Sequence, residues 1–304
     1  MVNADAQTRV SGDQHYPGAT LYVVATPIGN LADITLRALD CLNLVDAVAA
    51  EDTRMAKRLL THYGIAKPCF AAHRHNEREA GAAIIARLQA GERIAYVSDA
   101  GTPAISDPGA ILVEAVHAAG FRVIPIPGVS AVTCALSAAG LAAGRQQGRF
   151  YLHGFLPAKR AQAEAELRPL VALSANLVFY EAPHRILESV ALLAEVFGEG
   201  VNSQRRIVMA RELTKLFETI HSCVLAEARE WLEADANRQR GEFVLIVEGA
   251  AKEIDPLEAA LPVLRRLLKS LSLSEAVDLA AELMHASRKA LYAQALKLKS
   301  ENEA

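Results

Sequence analysis

Between residues 20 and 140, short apolar runs alternate with longer amphipathic stretches. The runs are LYVVA (21–25), DAVAAED (46–52), KPCFAAH (67–73), RIAYVSD (93–99) and FRVIPIPG (121–128). Each is brief, apolar at successive positions and closed by Gly, Pro or a polar residue, which is the form of a strand buried on both faces. The stretches between them repeat their apolar residues at helical spacing. Asp33 is placed to cap a helix running through Leu44. TRMAKRLLTHYG (53–64) and NEREAGAAIIARLQAG (76–91) each end in Gly. DPGAILVEAVHAAG (107–120) predicts a helix with Asp107 as N-cap, Pro108 at its first position and Gly120 behind it, and VSAVTCALSAAG (129–140) predicts a fifth. Five β-α repeats imply a parallel sheet with helices on both faces, a first α/β domain over 20–143.

LAAGRQQGRF (141–150) breaks the alternation and reads as a linker. Beyond it, FYLHGFLP (150–157), NLVFYEAP (176–183), RIVMAREL (206–213), LFETIHSCVL (216–225) and EFVLIVEG (242–249) read as strands, with helices near 158–173, 184–197 and 225–236. Only Thr214 and Lys215 separate two of these strands, which predicts a hairpin and therefore a mixed sheet in a second α/β domain, 150–250. From 256 to 304 the pattern is helical throughout (257–271, 272–285 and 286–298), as in a small separate bundle. Residues 1–19 lack the apolar core of a signal peptide and read as a mobile leader.

Composition narrows the function. The 304 residues are 52% hydrophobic and 22% charged, enough apolar content for a full core. A net charge of −3 means that any nucleic-acid binding rests on local patches. Cys41, Cys69, Cys134 and Cys223 form no CxxC pair, which argues against zinc and against a disulfide framework and suits the reducing cytoplasm. No apolar run is long enough for a membrane span. His73 and His75 would share a strand face, but Arg74 and Arg78 make a poor metal site of it, so no metal is expected.

In open parallel sheets, ligands bind beyond the carboxyl ends of the strands. Those ends carry TPIGN (26–30), EDTR (51–54), HRHNE (73–77), SDAGTP (98–103) and PGVSA (127–131), rich in Gly, Pro and polar groups. Neither GxGxxG nor GxxxxGK[ST] is present, which excludes the common dinucleotide and P-loop readings. Residues 54–78 hold Arg54, Lys57, Arg58, Lys67, Arg74 and Arg78 against Glu77 alone. This basic stretch flanks two of the strand ends and is a candidate phosphate- or RNA-facing patch, with Arg205, Arg206, Arg211 and Lys215 as partners across a cleft.

Five motifs in order, LYVVATPIGNLADITLRAL (21–39), AEDTR (50–54), VSDAGTPAISDPG (97–109), IPGVSAVTCALSAAGL (126–141) and FYEAPHRI (179–186), resemble the ribosomal small subunit methyltransferase I family of the tetrapyrrole methylase superfamily. The resemblance implies a two-domain tetrapyrrole-methylase-like α/β fold, parallel sheet first and mixed sheet second, with a helical C-terminal domain. It implies S-adenosyl-L-methionine held between the two domains, usually in a homodimer. The substrate it implies is 16S rRNA in the 30S subunit, methylated on the ribose 2′-oxygen of a cytidine at the decoding centre. Carried onto this sequence, the cofactor residues are Pro27, Gly29, Asp99, Ala100, Gly101, Thr102, Ile105, Ser130, Ala131, Tyr180 and Leu213, with backbone amides of the glycine-containing loop available to the ligand. The chain reads SDAGTP where tetrapyrrole enzymes tend to have Gly-Asp-Pro, which favours RNA as substrate.

A ribose hydroxyl is a weak nucleophile, so a base or a stabilising cation is expected, and Glu51, Arg54 and Glu181 are the candidates at the strand ends, with Asp52 and His184 behind them. The candidate RNA contacts are Arg54, Lys57, Arg58, Arg74, Arg78, Arg185 and Lys215. Two other functions fit the same residues: a tetrapyrrole C-methyltransferase, and a ribosome-assembly factor that binds RNA without methylating it.

Overall fold

A computed structural model describes residues 14–141, 148–198, 203–250 and 256–302. Most of the expected leader (1–13) and the centre of the expected linker (142–147) lie outside the described residues. The chain forms two compact units, 1–250 and 251–304.

The first unit contains two five-stranded sheets. Strands β1 (Thr20–Val24), β2 (Ala47–Ala50), β3 (Cys69–Ala71), β4 (Arg93–Val97) and β5 (Arg122–Ile126) form the first, in the order β3-β2-β4-β1-β5. Every pairing is parallel. The strands are apolar on both faces because both faces are covered. Helices α1 (Leu36–Leu44) and α2 (Thr53–His62) bury Ala38, Cys41, Leu42, Ala56 and Leu60 against one face. Helices α3 (Glu77–Gln89) and α4 (Ala110–Ala118) bury Ala80, Ile84, Leu88, Leu112 and Val116 against the other.

The fifth helix departs from the expected layering. α5 (Ala131–Ala139) turns its buried stripe, Val132, Ala135 and Ala139, toward Val178, Val208, Ala210, Val244 and Ile246 of the second sheet. The small residues on α5 let it lie close to a β-branched sheet surface, and this packing joins the two sheets.

The second sheet runs β6-β7-β10-β8-β9, from β6 (Phe150–Phe155), β7 (Asn176–Glu181), β8 (Arg206–Arg211), β9 (Thr219–Val224) and β10 (Phe243–Val247). It is mixed as expected: β6 and β7 are parallel and the remaining pairs antiparallel. Its outer face is covered by α6 (Arg160–Leu167), α7 (Ile186–Phe197) and α8 (Ala228–Glu233).

Two helix starts differ from the sequence expectation. α1 begins at Leu36 with Thr35 as its cap, while Asp33 ends a short 3-10 turn capped by Asn30. α4 begins at Ala110, and its N-cap is Gly109, at φ +130°, with no capping side chain of its own. Asp107 therefore does not cap the helix and Pro108 lies before it. Glu77 of α3 reaches over instead, its Oε1 accepting a hydrogen bond from the Gly109 N–H at 3.2 Å. A carboxylate at this end also suits the helix dipole.

The second unit is three helices, α9 (Pro256–Leu267), α10 (Leu273–Met284) and α11 (Arg288–Asn302), packed around Ala260, Leu264, Ala276, Val277, Ala280, Leu291 and Ala295. Ser272 and Glu275 form a reciprocal capping box at the start of α10. Among the described residues, no helix is long and apolar enough to cross a membrane.

Candidate active site

Because β1 lies between β4 and β5, their carboxyl-end loops meet above it. Two backbone bonds stitch the first two together: the Gly101 N–H donates to the Thr26 carbonyl at 3.0 Å, and the Thr26 N–H to the Gly101 carbonyl at 2.9 Å. The Thr102 hydroxyl donates to the Val129 carbonyl at 3.0 Å and brings in the third. Gly101 sits at φ +77°, where a side chain would strain the backbone and meet Ile28 at 3.3 Å. Its N–H is thus committed to Thr26 and is not one of the loop amides open to a ligand.

A cleft of about 360 Å³ opens between these loops and the second sheet, a size suited to a small organic ligand. Ala100, Gly101, Thr102, Ile105, Ser130, Ala131, Tyr180 and Leu213, eight of the expected cofactor residues, line it together with Ile28, Phe155, Asp107 and Phe243. Pro27, Gly29 and Asp99 do not. They line a separate groove of about 680 Å³ between the 26–31 loop and α2, with Leu31, Met55, Arg58, Leu59 and His62. Ile28, Ala100 and Glu242 border both spaces. Lys215 reaches from the β8–β9 loop across the cleft so that its alkyl stem lies on Gly29, where a Cβ would come within 2.5 Å of the lysine Cγ.

Asp107, Glu181 and Glu242 are the carboxylates of the cleft lining, and Glu51 stands behind them. Asp107, released from the capping role, faces the cleft, and burial, then Asp99, push its pKa up against a hydrogen bond from Ser98. Glu51 is likewise shifted upward, by burial first and then by Asp99 and Asp107. Tyr180 is pushed up to about 12, again chiefly by burial, with Asp107 adding to it. Burial opposes the charge of Lys215, but hydrogen bonds to Glu212 and Glu242, each 2.8 Å, prevail and raise its pKa.

The three catalytic candidates are not brought together. Glu51 and Arg54 stand at the end of β2 and outside the lining of either space. Arg54 is 87% exposed and forks onto Asp52 at 2.6 Å, whose carboxylate caps α2 and is held down at about 2 chiefly by that hydrogen bond. Glu181 is buried on the cleft wall, and its oxygens accept from the Ala182 N–H and the Ser189 hydroxyl.

Arg54, Lys57, Arg58, Arg74 and Arg78 are all exposed, and Arg58 lines the groove. Arg185 is turned inward, donating to the carbonyls of Leu156 and Pro157 at 2.8 Å each. Arg205 donates to the Val171 carbonyl, Arg206 to Ser222, and Arg211 to the carbonyls of Phe217 and Arg240. Of the four cations expected across the cleft, Lys215 is the one that borders it. β3 ends at Ala71, so His73 and His75 do not share a strand face; their rings stand 6.0 Å apart edge to face. The sequence reading missed Asp107 as a cleft residue, the Lys215–Gly29 contact and the Met55–Leu31 wall. Met55, the apolar exception among the exposed charges of TRMAKR, was the one available signal.

A parallel sheet with a ligand cleft at its carboxyl ends, closed by a second mixed sheet, is the architecture of a methylase class. The family model for tetrapyrrole (corrin/porphyrin) methylases matches residues 20–229, and the RsmI C-terminal HTH domain matches residues 254–299. Solved structures agree on the fold. The methyltransferase CobJ superposes with a TM-score of 0.55 at 20% identity, over 76% of this chain and 94% of its own. Uroporphyrin-III C-methyl transferase from Thermus thermophilus, complexed with S-adenyl homocysteine, gives 0.52 at 18%, over 75% and 97%.

Sequence relatives are far nearer. A ribosomal RNA small subunit methyltransferase I from Pseudomonas aeruginosa is 52% identical, over 91% of this chain and 96% of its own. One from Xylella fastidiosa is 48% identical, over 91% and 98%. The chain belongs to the ribosomal RNA small subunit methyltransferase I family.

Proposed function

We propose that the protein transfers a methyl group from S-adenosylmethionine to the ribose 2′-oxygen of a cytidine in 16S rRNA, at the decoding centre of the 30S subunit, and works in the cytoplasm as a homodimer. The observation that carries the reading is the convergence of eight expected cofactor residues on one cleft, in a chain of this family.

The cleft suits the cofactor. Its lining is mostly apolar, from Ile28, Ile105, Phe155, Leu213 and Phe243, and fits an adenine and the methylene chain of a methionine arm. Its carboxylates, Asp107, Glu181 and Glu242, complement a ligand with a sulfonium and an ammonium. When bound, S-adenosylmethionine supplies an electrophilic methyl on a positively charged sulfur. Ser130, Thr102 and Tyr180 offer hydroxyls to its polar groups, and the stitched loops hold their positions before the ligand arrives. In the transfer an oxygen–carbon bond forms as the sulfur–carbon bond breaks, and the hydroxyl proton must leave. We assign that proton to Asp107, a carboxylate of the cleft lining whose pKa is shifted upward.

The test is transfer from methyl-labelled cofactor to 30S subunits and to free 16S rRNA from a strain lacking the enzyme, followed by alkaline hydrolysis. A 2′-O-methyl ribose blocks cleavage at its own phosphodiester, so the label is expected in a dinucleotide. Label in a mononucleotide would move the reaction to the base. Label on a uroporphyrinogen and none on RNA would overturn the reading.

A further inference from the structure

We infer that the groove between the 26–31 loop and α2 receives the acceptor nucleotide, turned out of its RNA, with its base on the Leu31–Met55 wall and its flanking phosphate on Arg58. This rests on the methyltransferase reading above and adds the place and mode of RNA binding.

The first argument is adjacency. Transfer requires the acceptor oxygen about 3 Å from the methyl group, so the acceptor must occupy space continuous with the cofactor cleft. The groove shares Ile28, Ala100 and Glu242 with that cleft, and the septum between the two is formed where the stitched loops after β1 and β4 meet. A ribose at that septum has the cofactor on one side and the body of its nucleotide on the other.

The second argument is chemistry. Leu31 and Met55 are 39% and 45% exposed, an apolar surface beside a run of cations. A base plane covers such a surface whatever its identity, and Met adapts to the shape laid on it. Asp99 and His62 line the same space and offer hydrogen-bond partners to a base edge. Arg58 enters the groove from α2, and Arg54 and Lys57 stand exposed on the same helix. The acids Asp99 and Glu242 lie toward the septum, so the phosphates belong on the helix side.

The third argument is rigidity. The Tyr63 hydroxyl, just past the end of α2, donates to the Leu31 carbonyl. The two walls are thereby fastened to each other, and the groove exists before RNA arrives. Laying the base on the Leu31–Met55 wall takes the nucleotide out of the stack, and a preformed slot lowers the ordering cost of holding it there.

The experiment uses the full-length protein with labelled cofactor and 30S subunits. Met55→Glu and Arg58→Ala are expected to raise KM for the subunits about tenfold or more, while affinity for S-adenosylhomocysteine, read by calorimetry, stays at the wild-type value. Met55→Leu, which keeps an apolar surface there, is expected to raise KM far less than Met55→Glu. Irradiating the wild type on 16S rRNA should place the crosslinked peptide within 26–31 or 55–62. If the wild type labels RNA, yet Met55→Glu keeps its KM or the crosslink maps elsewhere, the groove assignment falls alone. If the wild type leaves RNA unlabelled, the functional reading falls and takes the groove with it.

Discussion

Helices α2 and α4 both follow a strand of the same parallel sheet, and both are preceded by an aspartate. α2 is capped by its own chain: Asp52 accepts from the Arg54 N–H at 2.8 Å and forks with the Arg54 side chain. α4 is capped from outside: Gly109 makes the turn, and the carboxylate that meets its N–H comes from Glu77, on another helix. The consequence is chemical. Asp52 is spent on the helix and stays ionised at any working pH. Asp107, relieved of that work, is free to face the cleft. The same residue type in similar contexts becomes structural in one loop and available for function in the next.

The contrast can be tested by breaking each cap. Gly109→Ala should have the largest effect. At φ +130° the new Cβ would lie 2.5 Å from the buried Tyr96 ring, and a loss of about 3 kcal/mol or more in urea unfolding is expected. Gly64→Ala is the control: it shares a positive φ, with nothing within 4 Å of the new atom, and should cost only about 1 kcal/mol. Glu77→Ala comes next, at about 2 kcal/mol, because it strips the Gly109 N–H of its buried partner. Asp52→Ala should cost less than Glu77→Ala by the same measurement, since water replaces the exposed cap.

Asp107→Asn should give the smallest change in stability, and of opposite sign. A carboxyl whose pKa is raised by folding stabilises the fold when protonated. That contribution is complete below its ordinary value of 3.8 and is lost as pH rises through the higher folded value. At pH 7 the ionised Asp107 therefore weakens the fold, and the neutral asparagine should raise Tm while methyl transfer drops. Melting curves should converge with wild type as the pH is lowered below about 4. A lower Tm for Asp107→Asn at pH 7 would return Asp107 to a structural role.

The same contrast explains what could be read from sequence. β1, β2, β4 and β5 were legible because strands covered on both faces need uninterrupted apolar runs. The start of α2 was legible because its cap is two residues from the amide it serves. The start of α4 was not. Its acceptor lies 32 residues away, and DPG read as a local cap and first turn. At the site, the loops SDAGTP and PGVSA bring Ala100, Gly101, Thr102, Ser130 and Ala131 to one cleft, while Asp99 turns to the neighbouring groove. Glu51, Arg54 and Glu181 were chosen for chemical type and strand-end position, and neither fixes which way a side chain turns. The inward Arg185 and Arg205 make the same point: charge is visible in a sequence, but the carbonyls that engage it are not.

The placement of α5 has a consequence for assembly. In chain order this helix completes the first half, yet its stripe lies on Val178, Val208, Ala210, Val244 and Ile246. A ribosome that has released residues up to 140 has made a helix whose partner surface does not yet exist. Conversely, a fragment beginning at residue 150 would leave one face of its sheet bare to water. The two halves are therefore not independent folding units. Strands β7, β8 and β10, made later, supply the surface on which the earlier helix settles, and the cleft takes shape only when nearly all of residues 20–250 have been synthesised.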